Sequence, residues 1–362
     1  MTPEEVQALP KAEMHVHLEA CARPALARRM AAKLGEDIEP VIGPDGESYP
    51  HGDFTSFLGN YSRIADLFRT ADDYAELCET YLDELRATGT LYAEIIVWPD
   101  HPERLGLPAD GYLEGIAEGI ARHTRRHAEH AVVARLLVTG VRHEGADAVE
   151  REARIAVRWH ADGPRAQDHS MRSPDDPLVV GFGLAGDERV GHPRDFARAF
   201  AMAREAGLGL GCHAGELRGA ESVRAALDHL DPDRIDHGVR AAEEPELLVR
   251  LRDEGKLLTV CPGSNLSLGV YPGLDAHPLA QIHEAGVAVA LGSDDPPHFG
   301  TSIEREYALA ASAGLSRAEL VSITATAIDH AFLPTSARGA LACELERRQS
   351  NVTQGGDDPA GR

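Results

Sequence analysis

Eight short apolar runs, each bounded by turn residues, alternate along the chain with segments that have helical spacing. Runs of this length and composition are typical of strands that are buried on both faces of a parallel sheet. Eight strands, each followed by a helix, are the number that closes a parallel barrel. We therefore predict an α/β fold, a (β/α)8 TIM barrel. The predicted strands are residues 12–18, 91–99, 131–140, 178–186, 207–215, 234–238, 256–262 and 287–295.

The segments between these runs support the barrel. Residues 71–89, 192–207 and 243–255 have the spacing of amphipathic helices, and each ends in glycine, a frequent helix stop. An open, doubly wound sheet is the alternative architecture. It is disfavoured because no G-x-G-x-x-G motif follows the first predicted strand.

The chain is longer than a minimal barrel, and most of the additional length lies between the first two strands. There, residues 43–68 have the pattern of a turn-rich loop followed by a helix. We predict one domain over residues 1–345, with a helical insertion at about 38–75 that acts as a lid over the barrel mouth. Residues 160–177 are predicted to be an exposed loop. The polar, glycine-rich segment 346–362 is predicted to be a disordered tail.

The charge of the chain disfavours two classes of partner. Thirty-six Lys and Arg against 59 Asp and Glu give a formal net charge of −23, which repels phosphate backbones and anionic lipid surfaces. No run approaches the roughly 18 apolar residues of a membrane span. We predict no nucleic-acid partner and no membrane partner. The sequence carries no indication of the oligomeric state.

Cysteine usage and the N-terminal segment indicate the compartment. The five cysteines are odd in number and form no C-x-x-C pair, so we predict neither a disulfide framework nor a thiolate zinc site. Residues 1–14 are acidic and lack the apolar core of a signal peptide. We expect a cytoplasmic protein.

Polar residues collect at the ends of four predicted strands. In a (β/α)8 barrel, catalytic groups lie at the C-terminal ends of the strands, where residues remote in sequence meet. Side chains in a strand alternate between faces, so two histidines separated by one residue point to the same side. The residues concerned are His15 and His17 in the first strand, His213 and Glu216 at the fifth, His237 at the sixth, and Asp294 and Asp295 at the eighth.

Three imidazoles and one carboxylate form a ligand set that binds zinc and leaves a coordination position for water. A single histidine among 18 is more often a packed residue than a ligand, but several strand ends that all carry ligand types favour a metal site. Iron or cobalt is compatible with the same donors. We predict that His15, His17, His213 and Asp294 bind one Zn²⁺.

The remaining polar residues have roles beside such an ion. Glu216 is a candidate general acid and base, although a glutamate near a helix N-terminus is also favoured by the helix dipole alone. His237 is suited to orient the attacking water and to stabilise developing charge. Asp295 is placed to bond a ring nitrogen of the substrate, whereas Asp236 is expected to point to the other face and to be structural.

Six ordered motifs resemble those of the adenosine/adenine deaminase family of zinc-dependent (β/α)8 aminohydrolases. They are PKAEMHVHLE, GLAGDE, CHAGE, RIDHG, CPGSN and GSDDPPHFGTS, and they span residues 10 to about 302. The resemblance implies a zinc site and a purine pocket with these members: His15, His17, His213 and Asp294 on zinc, Glu216 as proton shuttle to N1, His237 beside the attacking hydroxide, Asp295 at N7 and the backbone of Gly186 at N3.

Two residues beside the second histidine depart from the mammalian-type pattern. Where those enzymes carry Leu-Asp-Gly, with the aspartate helping to hold the ribose, this chain has Leu18-Glu19-Ala20. Glutamate at this point resembles the adenine deaminases and several bacterial relatives. We predict that Glu19 and His17 both contact the substrate.

The resemblance implies hydrolytic removal of the 6-amino group of a small purine, with release of ammonia. We predict adenosine or 2′-deoxyadenosine as the substrate; adenine and a 5′-modified adenosine are the alternatives. A related zinc hydrolase acting on another C–N or ester bond would usually need a second metal, for which the sequence offers no convincing ligands. A non-enzymatic nucleoside-binding barrel would predict the loss of a ligand or of Glu216, and none is lost.

Overall fold

Eight parallel strands pair in sequence order from the first to the last, as the alternating pattern predicts. The structure is a computed structural model that describes residues 1–164 and 176–354, without the side chains of 351–354. The strand pairs β1–β2 through β7–β8 are all parallel, which confirms the TIM-barrel prediction. The strands are β1 (Lys11–His17), β2 (Thr90–Val97), β3 (Val133–Val141), β4 (Val179–Ala185), β5 (Gly209–Ala214), β6 (Arg234–His237), β7 (Leu257–Val260) and β8 (Ala288–Leu291).

Helices surround the strands and cover the ends of the barrel. Their buried faces are mostly Ala, Leu, Val and Ile, which pack on the outward-facing side chains of the strands. The helices are α1 (Pro3–Gln7), α2 (Pro24–Leu34), α3 (Phe54–Ala65), α4 (Ala71–Ala87), α5 (Asp100–Arg104), α6 (Ala109–His127), α7 (Ala146–Asp162), α8 (Ala197–Glu205), α9 (Ala220–Leu230), α10 (Pro245–Asp253), α11 (Pro262–Ser267), α12 (Leu279–Glu284), α13 (Pro296–Phe299), α14 (Ile303–Ser312), α15 (Arg317–Asp329) and α16 (Thr335–Gln354).

Backbone hydrogen bonds join the first strand to the end of the last. The amide of His17 donates to the carbonyl of Asp294 at 3.0 Å, and the amide of Asp294 donates to the carbonyl of His15 at 2.8 Å. The backbones approach closely here, since a Cβ at Gly292 would lie 2.5 Å from the Cβ of His15. This junction sets the histidines of β1 directly beside the aspartate that follows β8.

The segment between β1 and β2 forms α2, α3 and α4. The N-cap residues Asp53 and Thr70 start α3 and α4, and each accepts a hydrogen bond from a backbone amide of the first turn. Phe57 of α3 packs on Phe299 of α13, with ring centroids 4.8 Å apart. This contact sets α3 above the C-terminal ends of the strands, next to the end of β8.

Two predicted boundaries differ from the structure. The helix α16 continues without a break through residue 345, the predicted end of the domain, to Gln354, so residues 346–354 are helical; the rest of the predicted tail, 355–362, lies outside the described residues. The predicted loop 160–177 begins inside α7, and its central part, 165–175, also lies outside the described residues. In the part of the chain that is described, we find no helix long and apolar enough to cross a membrane.

Candidate metal centre and active site

Three histidine side chains from two strands meet at the C-terminal end of the barrel. Nε2 of His213 lies 3.1 Å from Nε2 of His15 and 3.2 Å from Nε2 of His17. Oδ1 of Asp294 lies 3.6 Å from Nε2 of His15 and 3.5 Å from Nε2 of His17. The four predicted ligands therefore surround one point, although β1, β5 and the end of β8 are remote in sequence.

The groups that face Nδ1 of His15 and Nδ1 of His213 determine which nitrogen of each ring carries the proton. The hydroxyl of Thr259 donates to Asp236 at 2.8 Å, so its oxygen must accept from Nδ1 of His15, 3.2 Å away. The other carboxylate oxygen of Asp236 lies 3.2 Å from Nδ1 of His213, and its negative charge favours a proton on that nitrogen. The inner Nε2 atoms of both histidines are therefore unprotonated when the rings are neutral.

Two unprotonated nitrogens that face each other at 3.1 Å repel unless a cation lies between them. Tetrahedral ligands at Zn–N distances of about 2.0–2.1 Å would be about 3.3–3.4 Å apart, close to the separations found here. Burial lowers the pKa of His15 well below its ordinary value, with neighbouring His213 adding to the effect, and lowers the pKa of His17 to about 3. Neutral imidazoles are the form that binds a metal, so the residues present fit zinc.

His237 lies at the same point, and distance alone makes it a further ligand candidate. Ligand atoms of His15, His213, His237 and Asp294 all lie within 4.8 Å of one another. Nε2 of His237 is 3.8 Å from Oδ2 of Asp294 and 3.7 Å from Oε1 of Glu216. The centre therefore contains one more imidazole than the predicted ligand set.

Backbone strain is concentrated at two of these residues. His237 and Asp294 adopt positive φ values of 65° and 60°, a conformation that costs free energy for residues with a Cβ. Each follows or ends a short strand, β6 or β8, and in each case the side chain is directed into the centre. Strain of this kind is typical of functional sites, where contacts with the surrounding structure hold the backbone in an unfavourable conformation.

Glu216 is buried next to the metal-site candidates, on the turn after β5. Burial raises the pKa of its carboxyl well above the ordinary value, and the negative charges of Asp294 and Glu188 raise it further. A carboxyl group with a raised pKa can donate a proton near neutral pH, as a general acid must.

Glu188 holds the turn that carries Glu216. Its carboxylate accepts the backbone amides of Gly215, Glu216, Leu217 and Arg218 at 2.5 to 3.1 Å, together with the hydroxyl of Ser222. The sequence analysis missed this role. The GLAGDE motif contains Glu188, but its neighbours along the chain give no sign of a carboxylate that binds a turn of the next strand.

A cavity of about 350 Å³ opens above this centre. Its floor is formed by the predicted ligand and proton-transfer residues. One wall comes from β3 and β4 and includes Thr139, Val141 and Gly186, and α3 covers the cavity with Phe54, Phe57 and Tyr61. Such a concave site, apolar with a few convergent polar groups, is suited to a small planar ligand.

Gly186 and Asp295 lie where the sequence predicts substrate contacts. Gly186 lines the cavity with a φ of 91°, and a Cβ there would come 2.8 Å from His143, so the position requires glycine. Asp295 also lines the cavity, and its buried Oδ1 has no hydrogen-bond partner within the described ranges. A buried polar atom without a partner is expected to bond a ligand.

Glu19 is not among the cavity-lining residues. Its buried carboxylate accepts hydrogen bonds from the hydroxyl of Tyr112, from the backbone amide of Trp98 at 3.1 Å and from the hydroxyl of Tyr61 at 3.3 Å. Tyr61 and Trp98 themselves line the cavity. The structure thus places Glu19 behind the wall, in contact with groups that form it, whereas the sequence analysis predicts a substrate contact.

The sequence analysis predicts only a structural role for Asp236, on the face opposite the site. Its carboxylate lies against His213 and Thr259, next to a ring that His237 also contacts, rather than on an opposite face. Burial alone would raise the pKa of the Asp236 carboxyl, but the positive charge of Arg234, 3.3 Å from Oδ1, helps to hold this pKa well below its ordinary value. A carboxylate that orients a histidine from behind is a common feature of metal sites.

Comparison with known proteins decides the family. The adenosine deaminase family model matches residues 10–348. The chain belongs to the adenosine deaminase family. As a member of this family it is a deaminase, a hydrolase that acts on a C–N bond in a cyclic amidine.

Relatives within the adenosine deaminase family cover almost the whole chain. The adenine deaminase of Chelativorans sp. (strain BNC1) is 51% identical over 337 residues, which is 93% of this chain and 98% of the relative. The adenine deaminase of Rhizobium leguminosarum bv. trifolii (strain WSM2304) is 48% identical over 338 residues, with 93% and 99% covered. Among solved structures, adenine deaminase from Arthrobacter aurescens matches with a TM-score of 0.82 and 27% identity, covering 94% of this chain and 99% of that one.

Proposed function

We propose that the protein hydrolyses adenine to hypoxanthine and ammonia. The relatives that are about half identical over nearly their full length are named adenine deaminases. This supports adenine, an alternative in the sequence analysis, rather than the first choice, adenosine or 2′-deoxyadenosine. Glu19, which resembles the adenine deaminase pattern, points in the same direction.

One observation carries the proposed chemistry: unprotonated imidazole nitrogens converge on a point that a carboxyl group with a raised pKa also faces. We assign His15, His17, His213 and Asp294 as the ligands of one Zn²⁺. When bound, zinc supplies a Lewis acid that makes water nucleophilic near neutral pH. Asp236 and Thr259 hold two of the ligand rings in the required tautomer.

The other side chains bind the purine and move protons. Glu216 donates its proton to ring N1, and this protonation makes C6 more electrophilic as the oxygen of water bonds to it. The resulting carboxylate takes one proton from that water and passes it to the amino group, which leaves as ammonia when the C6–N bond breaks. The remaining hydroxyl proton returns to Glu216 as the C6 carbonyl forms. Asp295 and the backbone of Gly186 orient the ring, and His17 contacts it beside the metal.

The substrate is tested by steady-state kinetics with adenine, adenosine, 2′-deoxyadenosine and a 5′-modified adenosine. We expect kcat/KM for adenine to exceed that for adenosine by more than about 100-fold, equivalent to about 2.7 kcal/mol of transition-state binding. A preference for a nucleoside would overturn the assignment of adenine. Tight binding of purines without turnover by the zinc-loaded protein would instead indicate a binding protein.

The chain has five free cysteines, four of them buried. Free thiols fit a reducing compartment, and we propose that the enzyme acts in the cytoplasm on the free base. Localisation of a tagged chain by cell fractionation tests this assignment.

A further inference from the structure

A chain of hydrogen bonds runs from the backbone of α12 to the ring of His237. It begins at the amide of Leu279, which donates to Nδ1 of His277 at 3.2 Å. A backbone amide can only donate, so Nδ1 of His277 accepts and is unprotonated. This fixed starting point determines the direction of every later hydrogen bond in the chain.

The second step passes through the side chain of Asn265. Burial lowers the pKa of His277 to about 4, so this ring is neutral near pH 7 and carries its single proton on Nε2. That nitrogen lies 3.1 Å from Oδ1 of Asn265, which accepts the proton. The amide orientation of Asn265 is thereby fixed, with its NH₂ group on the opposite side.

The NH₂ group of Asn265 reaches the ring of His237. Nδ2 of Asn265 lies 3.5 Å from Nδ1 of His237. An amide nitrogen can only donate, so Nδ1 of His237 accepts and the ring proton is on Nε2. Asn265 is fully buried and His277 is 6% exposed, so this chain is shielded from bulk solvent.

The other side of the ring independently favours the same tautomer. Nε2 of His237 faces carboxylate oxygens of Glu216 and Asp294 at 3.7 and 3.8 Å. A protonated nitrogen is attracted to the carboxylate oxygen of Asp294, whereas a lone pair on that nitrogen would be repelled by it. His237 is in this respect the opposite of His15 and His213, whose protons are on Nδ1.

We propose that Asn265 and His277 are positioning residues that hold His237 as its Nε2–H tautomer, so that His237 is a hydrogen-bond donor to the attacking oxygen and not a metal ligand. The two tautomers thus separate the histidines of the centre: His15 and His213 offer lone pairs, and His237 offers a proton. Removal of the proton from water is then left to a carboxylate, Glu216, because Nε2 of His237 has no free lone pair.

The tautomer rests on the contacts of His237, Asn265 and His277, whereas the catalytic consequence rests on the proposed adenine hydrolysis. The first is tested by ¹⁵N NMR of the zinc-loaded protein labelled at histidine, with the His237 signals identified by their loss in His237→Gln. We expect an unprotonated Nδ1 and a protonated Nε2. A protonated Nδ1 in the wild-type protein would overturn the proposal, and this measurement needs no positioning variant to fold.

Asn265→Asp reverses the hydrogen bond to His237 with almost no change of shape. A carboxylate can only accept, so we expect the Nδ1 signal of His237 to move to the protonated range and kcat for adenine to fall about 100-fold, as for loss of one donor to a reacting oxygen. KM and zinc content should change little. Unchanged His237 signals in a folded, zinc-loaded Asn265→Asp protein would overturn the proposal.

Two substitutions of His277 separate positioning from packing. Glutamine presents an amide NH₂ near the position of Nε2, so His277→Gln should keep the tautomer and most of kcat. His277→Phe fills similar space without a donor and should reduce kcat and alter the His237 signals. Equal behaviour of the two variants would contradict the assignment of His277. Lack of adenine turnover by the wild-type protein would refute the proposed function while leaving the NMR result interpretable.

Discussion

The carboxylate of Glu188, at the end of the GLAGDE motif, accepts the backbone amide of Glu216 at 3.1 Å. Three neighbouring amides of the same turn donate to it as well. The turn that carries the proposed proton shuttle is therefore organised by a side chain that follows β4. Helix formation begins only later, at α9, so these amides have no intrahelical partners of their own.

Glu188→Ala should both destabilise the protein and reduce its activity. Each buried amide left without an acceptor costs about 1–3 kcal/mol, so we expect the free energy of unfolding to fall by about 3 kcal/mol or more. Denaturant unfolding and kcat measure the two effects. Glu221→Gln is the matched control, because Glu221 is an exposed acid on α9 that pairs with Arg218, and it should change stability by less than about 0.5 kcal/mol.

Glu216→Gln should keep the metal and lose most of the turnover. Glutamine preserves the shape of the side chain but cannot transfer a proton, so kcat should fall by about 10² to 10⁴. Metal content is measured by atomic absorption and turnover by release of ammonia. Near-normal kcat in this variant would remove Glu216 from the mechanism.

Removal of the metal should abolish activity and lower thermal stability together. A ligand that binds only the folded chain stabilises it, so the Tm should fall after treatment with a chelator and recover with one equivalent of Zn²⁺. Calorimetry and the adenine assay on the same sample follow both changes. Activity that survives complete removal of the metal would contradict the proposed centre.

Asp236→Asn should weaken the metal site without touching the metal. The substitution removes the charge that faces Nδ1 of His213, and loss of such a supporting group typically costs about 10- to 100-fold in affinity. Competition with a chelating dye measures the zinc affinity. Asp228→Asn, at an exposed position on α9, should leave the affinity unchanged.

Glu152 should make the stability of the barrel depend on pH. Burial in α7 raises the pKa of this carboxyl to about 8, while the unfolded chain keeps an ordinary value. The folded state therefore retains a proton that the unfolded state loses, and the contribution to stability is complete below about pH 4 and is lost as the pH rises through 8. Glu152→Gln removes this dependence, so its stability relative to wild type should increase between pH 5 and pH 8 in urea unfolding. An equal difference at both pH values would contradict this.

The strand pattern was sufficient to predict the barrel, since buried parallel strands are apolar runs whose order is fixed by their connections. The helix α16 continues beyond residue 345, the predicted end of the domain, to Gln354, although its amphipathic character is weak and the residues there are polar. A helix that is already formed can extend into such residues, which composition alone does not show.

Within the site, sequence pattern located the side chains that end strands but not those that support them. His15, His17, His213 and Asp294 come together as predicted from the barrel. Glu188, Thr259 and Asn265 act through contacts with residues from other strands, and nothing in their local sequence specifies such contacts. Glu19 was predicted to contact the substrate but lies behind the cavity wall. Its position depends on Tyr112 and Trp98, which are far from it in sequence.

The hydrogen bonds between β1 and the residues after β8 also have a consequence for biosynthesis. The ribosome makes two of the proposed zinc ligands in the first strand of the barrel and the aspartate only after the eighth. A prematurely terminated product would hold imidazoles but could not complete the centre, so the enzyme gains its catalytic apparatus in one late event rather than by degrees.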